Sequence, residues 1–150
     1  MWIGGVRVII FDDENRILMV KQYHEGREFW LLPGGGIEKG ENSKDAAIRE
    51  MLEETGLEVS IGKLVWHIEE VSTERGMRFV NFFLGEIISG AVKLGHDPEF
   101  NKDNQVLRDI RYFTRDEIQG MEKVYPESLK DELWDLVKSD FKNHDPYKAR

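Results

Sequence analysis

The chain has 150 residues, a formal net charge of −8 and no cysteine. Its length fits one domain, since domains commonly have roughly 100–200 residues. We predict a single domain over residues 1–150, with a loose tail from about residue 143. The lack of cysteine excludes disulfides and thiolate metal sites. The acidic charge disfavours a nucleic-acid partner, but it allows small phosphates that bind through a metal cation.

The first residues are apolar, but they are too short a segment to cross a membrane. Residues 1–11 include Arg7, and no basic segment precedes them, which is a poor pattern for a signal peptide. No apolar run in the sequence approaches the roughly 20 residues that a spanning helix needs. We therefore predict a cytoplasmic protein without a membrane partner.

Runs of alternating apolar residues predict six strands. These strands cover residues 6–10, 17–22, 29–32, 57–70, 78–88 and 106–113. The first two strands, joined by a turn at residues 12–15, are expected to form a hairpin. Residues 23–28 are expected to form a loop, residues 72–76 a turn, and residues 90–104 a long polar loop.

Capping residues and apolar spacing predict three helices. Asn42 or Ser43 caps a helix that Gly56 ends. The expected buried stripe of this helix is formed by Ala47, Ile48, Met51 and Leu52. Thr114 or Asp116 caps a short helix, and Pro126 begins an amphipathic one. Strands and helices in this order predict an α/β fold with helices packed on the faces of a mixed sheet.

Three glutamates stand at helical spacing in the first predicted helix. Glu50, Glu53 and Glu54 fall at i, i+3 and i+4, within an arc of about 100°. Like charges at this spacing repel by roughly 0.2–0.5 kcal/mol per pair, and Arg49 offsets part of that cost. A divalent cation that prefers oxygen ligands, such as Mg²⁺ or Mn²⁺, would offset more. The alternative is an ordinary solvated Glu/Arg face.

Glycines precede this helix and allow backbone to pass close to its acidic face. Residues 34–36 are all glycine, so carbonyls can add metal ligands and amides can approach phosphate oxygens. Glu41 can reach back toward Arg49. One segment of the sequence thus contains oxygen atoms that can bind a metal and backbone amides that can donate hydrogen bonds to phosphate.

A specific motif covers residues 35–57. Gly35, five residues, Glu41, seven residues and then Arg49-Glu50-Met51-Leu52-Glu53-Glu54-Thr55-Gly56-Leu57 match every specified position of the Nudix box. The chain therefore resembles the Nudix hydrolase family. The box specifies nine positions over 23 residues, with two spacers of fixed length, so the match is highly specific.

The resemblance implies a Nudix-type α/β/α sandwich with a central mixed β-sheet. It also implies hydrolysis of a phosphoanhydride in a nucleoside diphosphate linked to another moiety X, or in a nucleoside triphosphate. The implied cofactor is Mg²⁺ or Mn²⁺, and the implied partner is a small nucleotide-like diphosphate. Dimers are common in the family, and nothing in the sequence decides whether this chain forms a homodimer.

The resemblance also assigns roles to residues of the box. The metal ligands are Glu50, Glu53, Glu54 and the carbonyl of Gly34. Arg49 and Glu41 orient these ligands, and Glu50 or Glu53 serves as general base. Other family members use a carboxylate in a distal loop. Here the rough equivalent position holds Gln105, and the nearby alternatives are Asp97, Glu99 and Asp103.

Substrate choice in the family depends on residues outside the box, and here the candidates are cations and aromatic rings. Candidates for phosphate contacts are Lys21, Arg27, Arg75 and Arg78. Candidates for base stacking are Tyr23, Phe29 and Phe82. Each has a plain alternative as surface charge or core ring. The family's marker residues for ADP-ribose, dinucleoside polyphosphate and NADH substrates are absent.

Three further functions stand beside the leading one. Housecleaning of oxidised nucleotides uses the same chemistry. A non-catalytic nucleotide sensor is disfavoured, because the chain keeps every box glutamate and is expected to have no second domain. Isomerisation of an isoprenoid diphosphate is disfavoured by the lack of cysteine.

Overall fold

The computed structural model describes residues 3–95 and 106–150, which form eight strands and three α-helices. The strands are β1 (Gly4–Ile9), β2 (Ile17–His24), β3 (Arg27–Leu31), β4 (Gly34–Gly36), β5 (Glu58–Ser72), β6 (Gly76–Ser89), β7 (Val106–Phe113) and β8 (Tyr147–Ala149). The helices are α1 (Ser43–Thr55), α2 (Arg115–Gln119) and α3 (Glu132–Lys138), and a 3₁₀ turn covers Glu127–Leu129.

The strands form a five-stranded mixed sheet and a three-stranded antiparallel sheet. The order of the larger sheet is β4-β1-β6-β5-β8, and that of the smaller is β3-β2-β7. In the larger sheet, β1 runs parallel to β6 and β8 runs parallel to β5, while the other neighbours are antiparallel. The mixed sheet that the sequence predicts is therefore present, accompanied by a second sheet.

Two apolar clusters lie on opposite faces of the larger sheet. Because side chains alternate along a strand, Ile9 joins one cluster and Val8 the other. The first cluster includes Trp66, Phe82 and the α3 residue Trp134. The second takes its helical residues from α1. Helices thus cover both faces of the sheet, which confirms the predicted α/β/α layering.

Helix α1 has the ends that the sequence predicts. The Asn42 side chain accepts a hydrogen bond from the Asp45 amide at 2.8 Å, as an N-cap does. Gly56 ends the helix with φ of 75°, a left-handed conformation that glycine adopts without steric cost. The predicted buried stripe is partly wrong, since Ile48 and Leu52 are exposed and Glu50 and Glu54 are buried.

The predicted hairpin of the first two strands is wrong. β1 and β2 lie in different sheets, and β2 pairs with β3 and β7. The expected loop at residues 23–28 is instead a tight turn, because β2 extends to His24 and β3 begins at Arg27. The glycine segment also differs from the expected break, since β4 pairs with β1.

The carboxyl-terminal region is more ordered than the sequence predicts. Instead of a loose tail from residue 143, Tyr147–Ala149 forms β8, which pairs with β5 through His67, Ile68 and Glu69. The amphipathic helix expected from Pro126 begins only at Glu132. None of the helices in residues 3–95 and 106–150 is long and apolar enough to cross a membrane.

Candidate active site

Helix α1 carries two buried carboxylates on the side that faces β4. Glu50 is 0% exposed and Glu54 is 1% exposed, whereas the side chain of Glu53 keeps 35% of its exposure. Burying a charge is costly unless it is paired and hydrogen-bonded. The surroundings of these glutamates therefore indicate why the fold accepts them.

Arg49 binds the carboxylates of three glutamates. Its guanidinium donates to both oxygens of Glu41, at 2.8 and 2.9 Å. It also donates to Glu50 Oε1 at 2.9 Å and to Glu53 Oε2 at 3.3 Å. The predicted contact from Glu41 to Arg49 is thus present. These hydrogen bonds hold the half-buried Arg49 guanidinium among three carboxylates.

The same contacts shift ionisation in the expected directions. The hydrogen bond from Arg49 is the largest influence on Glu41, and it lowers the pKa of that carboxyl below its usual range. Arg49 responds in the opposite sense, since its bonds to Glu41 and Glu50 raise the pKa of the guanidinium. Both groups therefore stay charged at neutral pH.

Strand β4 approaches α1 closely because its residues are glycines. The Gly34 amide donates to Glu54 Oε1 at 3.1 Å, and the Gly36 carbonyl accepts from Arg49 Nη2 at 3.0 Å. A Cβ placed on Gly35 would lie 2.5 Å from Glu50 Oε1. Any larger residue at position 35 would therefore displace the buried carboxylate.

The donor set fits a hard divalent cation, although the carboxylates now surround Arg49. Within residues 3–95 and 106–150, no three His, Asp or Glu side chains are grouped as a metal site. Glu53 accepts the longest of the Arg49 hydrogen bonds, at 3.3 Å, and is the most exposed of the four box glutamates. Carboxylate oxygens are ligands that Mg²⁺ accepts, and Glu50, Glu53 and Glu54 would supply them.

Some predicted site residues are not covered by the structure. Asp97, Glu99, Asp103 and Gln105 lie outside the described residues. The prediction of a distal carboxylate therefore stays a prediction.

The NUDIX domain profile matches residues 1–132 of the chain. The chain belongs to the NUDIX family. An ADP-ribose pyrophosphatase of Bacillus subtilis is 32% identical over 132 residues, which cover 85% of this chain and 61% of that protein. An RNA pyrophosphohydrolase of Pelagibacter ubique is 35% identical over 54 residues, covering 36% of this chain and 34% of that protein.

A solved structure shows the same Nudix fold. The NUDIX hydrolase from Nitrosomonas europaea superposes with a TM-score of 0.72 at 21% identity, covering 93% of this chain and 90% of that chain. The resemblance and the fold class inferred from the sequence are thus confirmed. The matched part covers 61% of the Bacillus subtilis protein and 34% of the Pelagibacter ubique protein, so the chain spans less than two thirds of the length of either relative.

The substrate candidates of this Nudix domain are dispersed. Arg27 and Phe29 line a cavity of about 940 Å³ between β3 and residues 121–125, which we call the aromatic cleft. Arg78 lines a separate cavity of about 250 Å³ beside β4, which we call the glycine cavity. Arg75 is exposed in the turn between β5 and β6. Arg27, Arg75 and Arg78 are thus not brought together.

The other candidates face different neighbours. Lys21 lies 3.8 Å from Glu28 and sits over the Trp30 ring. The Tyr23 ring is covered by the Arg108 guanidinium, 4.4 Å from its centroid. The suggestion that Phe82 stacks on a base is wrong, since Phe82 is fully buried against Trp66.

Two residues that line the aromatic cleft were not among those predicted from the sequence. Arg7 and Gln22 both stand in strands that read as plain core elements. Both could have been noticed in the sequence, because each is a polar residue within a mostly apolar strand. Gln22 is 5% exposed and Arg7 is half-buried, so neither is an ordinary surface residue.

Proposed function

We propose that this Nudix domain hydrolyses a phosphoanhydride bond in a nucleotide-linked diphosphate or a nucleoside triphosphate, with Mg²⁺ or Mn²⁺. The observation that carries the proposal is the pair of buried carboxylates, Glu50 and Glu54, packed against the glycines of β4 beside the Arg49–Glu41 pair. A fold has little reason to bury such charge unless it serves a ligand.

The names of relatives support the reaction class. An ADP-ribose pyrophosphatase and RNA pyrophosphohydrolases are among the curated relatives. These names have hydrolysis of a phosphate anhydride in common and differ in the moiety attached to it. The reaction class is therefore better supported than any one substrate.

The metal would be held by Glu50, Glu53, Glu54 and the Gly34 carbonyl. When bound, a divalent ion neutralises phosphate oxygens and lowers the pKa of attacking water. Carboxylate and carbonyl oxygens are the ligands that Mg²⁺ and Mn²⁺ prefer, and Mg²⁺ commonly shares its coordination with substrate phosphates.

The protein residues position the reactants and move the proton. A water oxygen forms the new bond to phosphorus, the bridging P–O bond breaks, and the water proton passes to a carboxylate. Of the two candidates for general base, Glu53 is the one that solvent reaches, since Glu50 is fully buried. Arg49 and Glu41 are positioning residues, because they hold the carboxylates rather than the substrate.

Composition bears on the cellular compartment and on the kind of substrate. The absence of cysteine fits a reducing compartment, and we propose the cytoplasm. The acidic charge favours a free nucleotide over a long nucleic acid. A homodimer is also compatible with the family. The substrate assay below includes RNA, because relatives named for RNA are among the matches.

The test is metal-dependent hydrolysis by the wild type and by Glu53→Gln. The purified protein is incubated with Mg²⁺ or Mn²⁺ and nucleoside triphosphates, nucleotide sugars, dinucleoside polyphosphates, coenzymes, oxidised nucleotides and 5′-triphosphate RNA. We expect one class to be hydrolysed, a nucleoside diphosphate linked to X giving a nucleoside monophosphate and phosphorylated X, and a triphosphate releasing phosphate or pyrophosphate. Glu53→Gln should lower kcat by about two to four orders of magnitude, as expected when a general base is removed.

A matched variant separates this effect from a general loss of charge. Glu74 is exposed in the turn between β5 and β6, so Glu74→Gln should keep wild-type kcat and Tm. Near-full activity of Glu53→Gln at saturating Mg²⁺ would contradict the role of Glu53. Failure of the wild type on every substrate would contradict the proposed reaction and favour a nucleotide sensor.

A further inference from the structure

The aromatic cleft has the size and chemistry of a nucleoside site. Its volume of about 940 Å³ is at the upper end of the usual range for small-molecule pockets, roughly 300–1,000 Å³. Phe29, Trp30 and Tyr125 are among its lining residues, and so is the buried amide of Gln22. Aromatic rings can stack on a base, and an amide can both donate to and accept from a base edge.

The glycine cavity differs in character. It is bounded by β1 and by Gly35 and Gly36, the backbone that also contacts Glu50 and Arg49. It holds about 250 Å³ and has Arg7 and Arg78 among its lining residues. A group of phosphate size that entered this cavity would meet the two guanidinium groups, glycine backbone and one carboxylate, that of Glu70.

Arg7 and Tyr125 are the described residues that line both cavities. The half-buried Arg7 side chain donates from Nη1 to the Leu32 carbonyl at 2.6 Å, which fixes the guanidinium at the junction. Burial raises the pKa of the Tyr125 phenol, and the positive charge of Arg7 opposes this shift, which shows that the two side chains are close.

Strand register places Arg7 beside β4, the edge strand of the larger sheet, with the Arg7 side chain on the same face as Ile9 and opposite α1. Arg7 is the partner of Gly34 in the β1–β4 pair, and the Gly34 amide binds Glu54. A diphosphate bound at Arg7 would therefore lie beside β4, the edge strand whose Gly34 carbonyl is a proposed metal ligand and whose Gly35 packs against Glu50.

We propose that Arg7 binds the diphosphate of the substrate while the nucleoside lies in the aromatic cleft. This inference rests on the proposed function, which it deepens by naming the residue that orients the phosphates. A guanidinium suits the task because it can donate two parallel hydrogen bonds to a phosphate. Its bond to the Leu32 carbonyl limits side-chain motion before substrate arrives.

A direct binding experiment tests Arg7 without relying on turnover. Binding of ADP, GDP, CDP and UDP is measured by calorimetry in EDTA, so that no metal bridges protein and phosphate. The tightest diphosphate is then compared with its own nucleoside. Arg7→Ala should weaken diphosphate binding by at least about tenfold, as loss of a bidentate charged pair implies, and leave nucleoside binding unchanged.

Two further variants keep the outcome interpretable if Arg7→Ala folds poorly. Arg7→Lys keeps the positive charge but lacks the paired donors of the planar guanidinium, so it should bind the diphosphate with intermediate affinity. Arg115→Ala removes an exposed arginine of α2 that lines neither cavity, and it should bind like the wild type. Thermal unfolding of each variant shows whether the fold is intact.

The outcomes separate this inference from the proposed function. Equal diphosphate affinity in the wild type and Arg7→Ala would overturn it, even if Glu53→Gln abolished hydrolysis. Failure of all four diphosphates to bind at about 1 mM would also overturn it. Loss of binding in Arg7→Ala beside full activity of Glu53→Gln would leave the phosphate site standing and remove the assigned base.

Discussion

Single side chains at the candidate site depend on one another through Arg49. Its guanidinium contacts Glu41, Glu50 and Glu53, and it bridges helix α1 to the Gly36 carbonyl. Removing one partner of a buried ion pair is costly, by about 3–5 kcal/mol, because the other charge stays buried. Arg49 is therefore as important for the fold of this region as for the arrangement of its carboxylates.

Gly35 is the residue whose size matters most directly. Gly35→Ala would place a Cβ 2.5 Å from Glu50 Oε1, closer than real contacts allow, so the carboxylate or the strand must shift. We expect the free energy of unfolding to fall by about 1–3 kcal/mol, as in overpacked cores. Hydrolysis should fall sharply. Chemical denaturation and steady-state kinetics measure the two effects.

Gly62→Ala is the matched control for this substitution. The nearest atom to a Cβ at Gly62 is the Leu84 carbonyl oxygen at 3.5 Å, an ordinary contact. Gly62→Ala should therefore leave kcat unchanged. If Gly35→Ala had the same kcat and stability as the wild type, the close approach of β4 to Glu50 would not be needed for activity or for folding.

Strand β8 is joined to β5 by a cluster of polar side chains as well as by backbone pairing. His67 of β5 contacts Asn81 Oδ1 at 2.6 Å and Glu69 Oε2 at 2.9 Å, and the Tyr147 hydroxyl of β8 donates to Glu69 Oε1 at 2.9 Å. Asn81 donates its amide to Ser43 Oγ, so its oxygen faces His67. Both ring nitrogens then donate, which describes a charged imidazolium.

This cluster makes the stability of the β8 attachment depend on pH. The bond to Glu69 is the largest influence on His67, and it raises the pKa of the imidazole above its usual value of about 6.5. A raised folded-state pKa gives stabilisation that is complete below the unfolded pKa and lost as pH rises through the folded pKa. The free-energy gap between wild type and His67→Gln should shrink from pH ~6 to ~9.

Denaturation of both proteins across this range measures the gap. Glu69→Gln serves as a second variant, because it removes the partner that raises the pKa and should flatten the same dependence. A gap that stayed constant or grew with pH would contradict the charged state of His67 in the folded protein.

The elements also show which predictions depend on local sequence. Asn42, Gly56 and the Thr114–Glu117 capping box set helix ends through neighbouring residues, and these ends were predicted. The buried face of α1 was not, because Glu50 and Glu54 take places that hydrophobicity assigns to Ile48 and Leu52. Their burial depends on Arg49 and β4, which come from different parts of the chain.

At the scale of the molecule, the missing information concerned strand partners. β1 pairs with β6, about seventy residues later, and the turn at residues 12–15 gave no indication that the chain changes sheets there. The match to the Nudix box could be recognised from residue types and spacing, and the family that it implied is confirmed. The position of Arg7 between two cavities depends on the packing of β1, β3 and residues 121–125, which no local pattern encodes.

The whole molecule should fold without metal. Two apolar clusters and the Arg49 contacts stabilise the fold, so EDTA should leave one cooperative unfolding transition. Added Mg²⁺ should raise Tm as its concentration exceeds Kd, because it binds the native state. Calorimetry with and without EDTA measures both. Unfolding by EDTA at 25 °C would contradict the expectation.

Glu53→Gln provides the control for the rise in Tm. If Mg²⁺ binds through Glu53, the variant should show a smaller shift at the same ion concentration. An equal shift in both proteins would place the ion elsewhere. Together with the kinetic test, this separates loss of the base from loss of the metal.

The Arg49 guanidinium has a consequence for how the protein responds to its surroundings. Because the Arg49 guanidinium already offsets part of the negative charge of the acidic face, ion binding need not drive folding, unlike in domains whose metal is part of their folding energy. The newly made chain can reach its final shape in an ion-poor environment. If Mg²⁺ is the cofactor, as proposed, hydrolysis should follow the free Mg²⁺ level reversibly, without the protein being lost when that level falls.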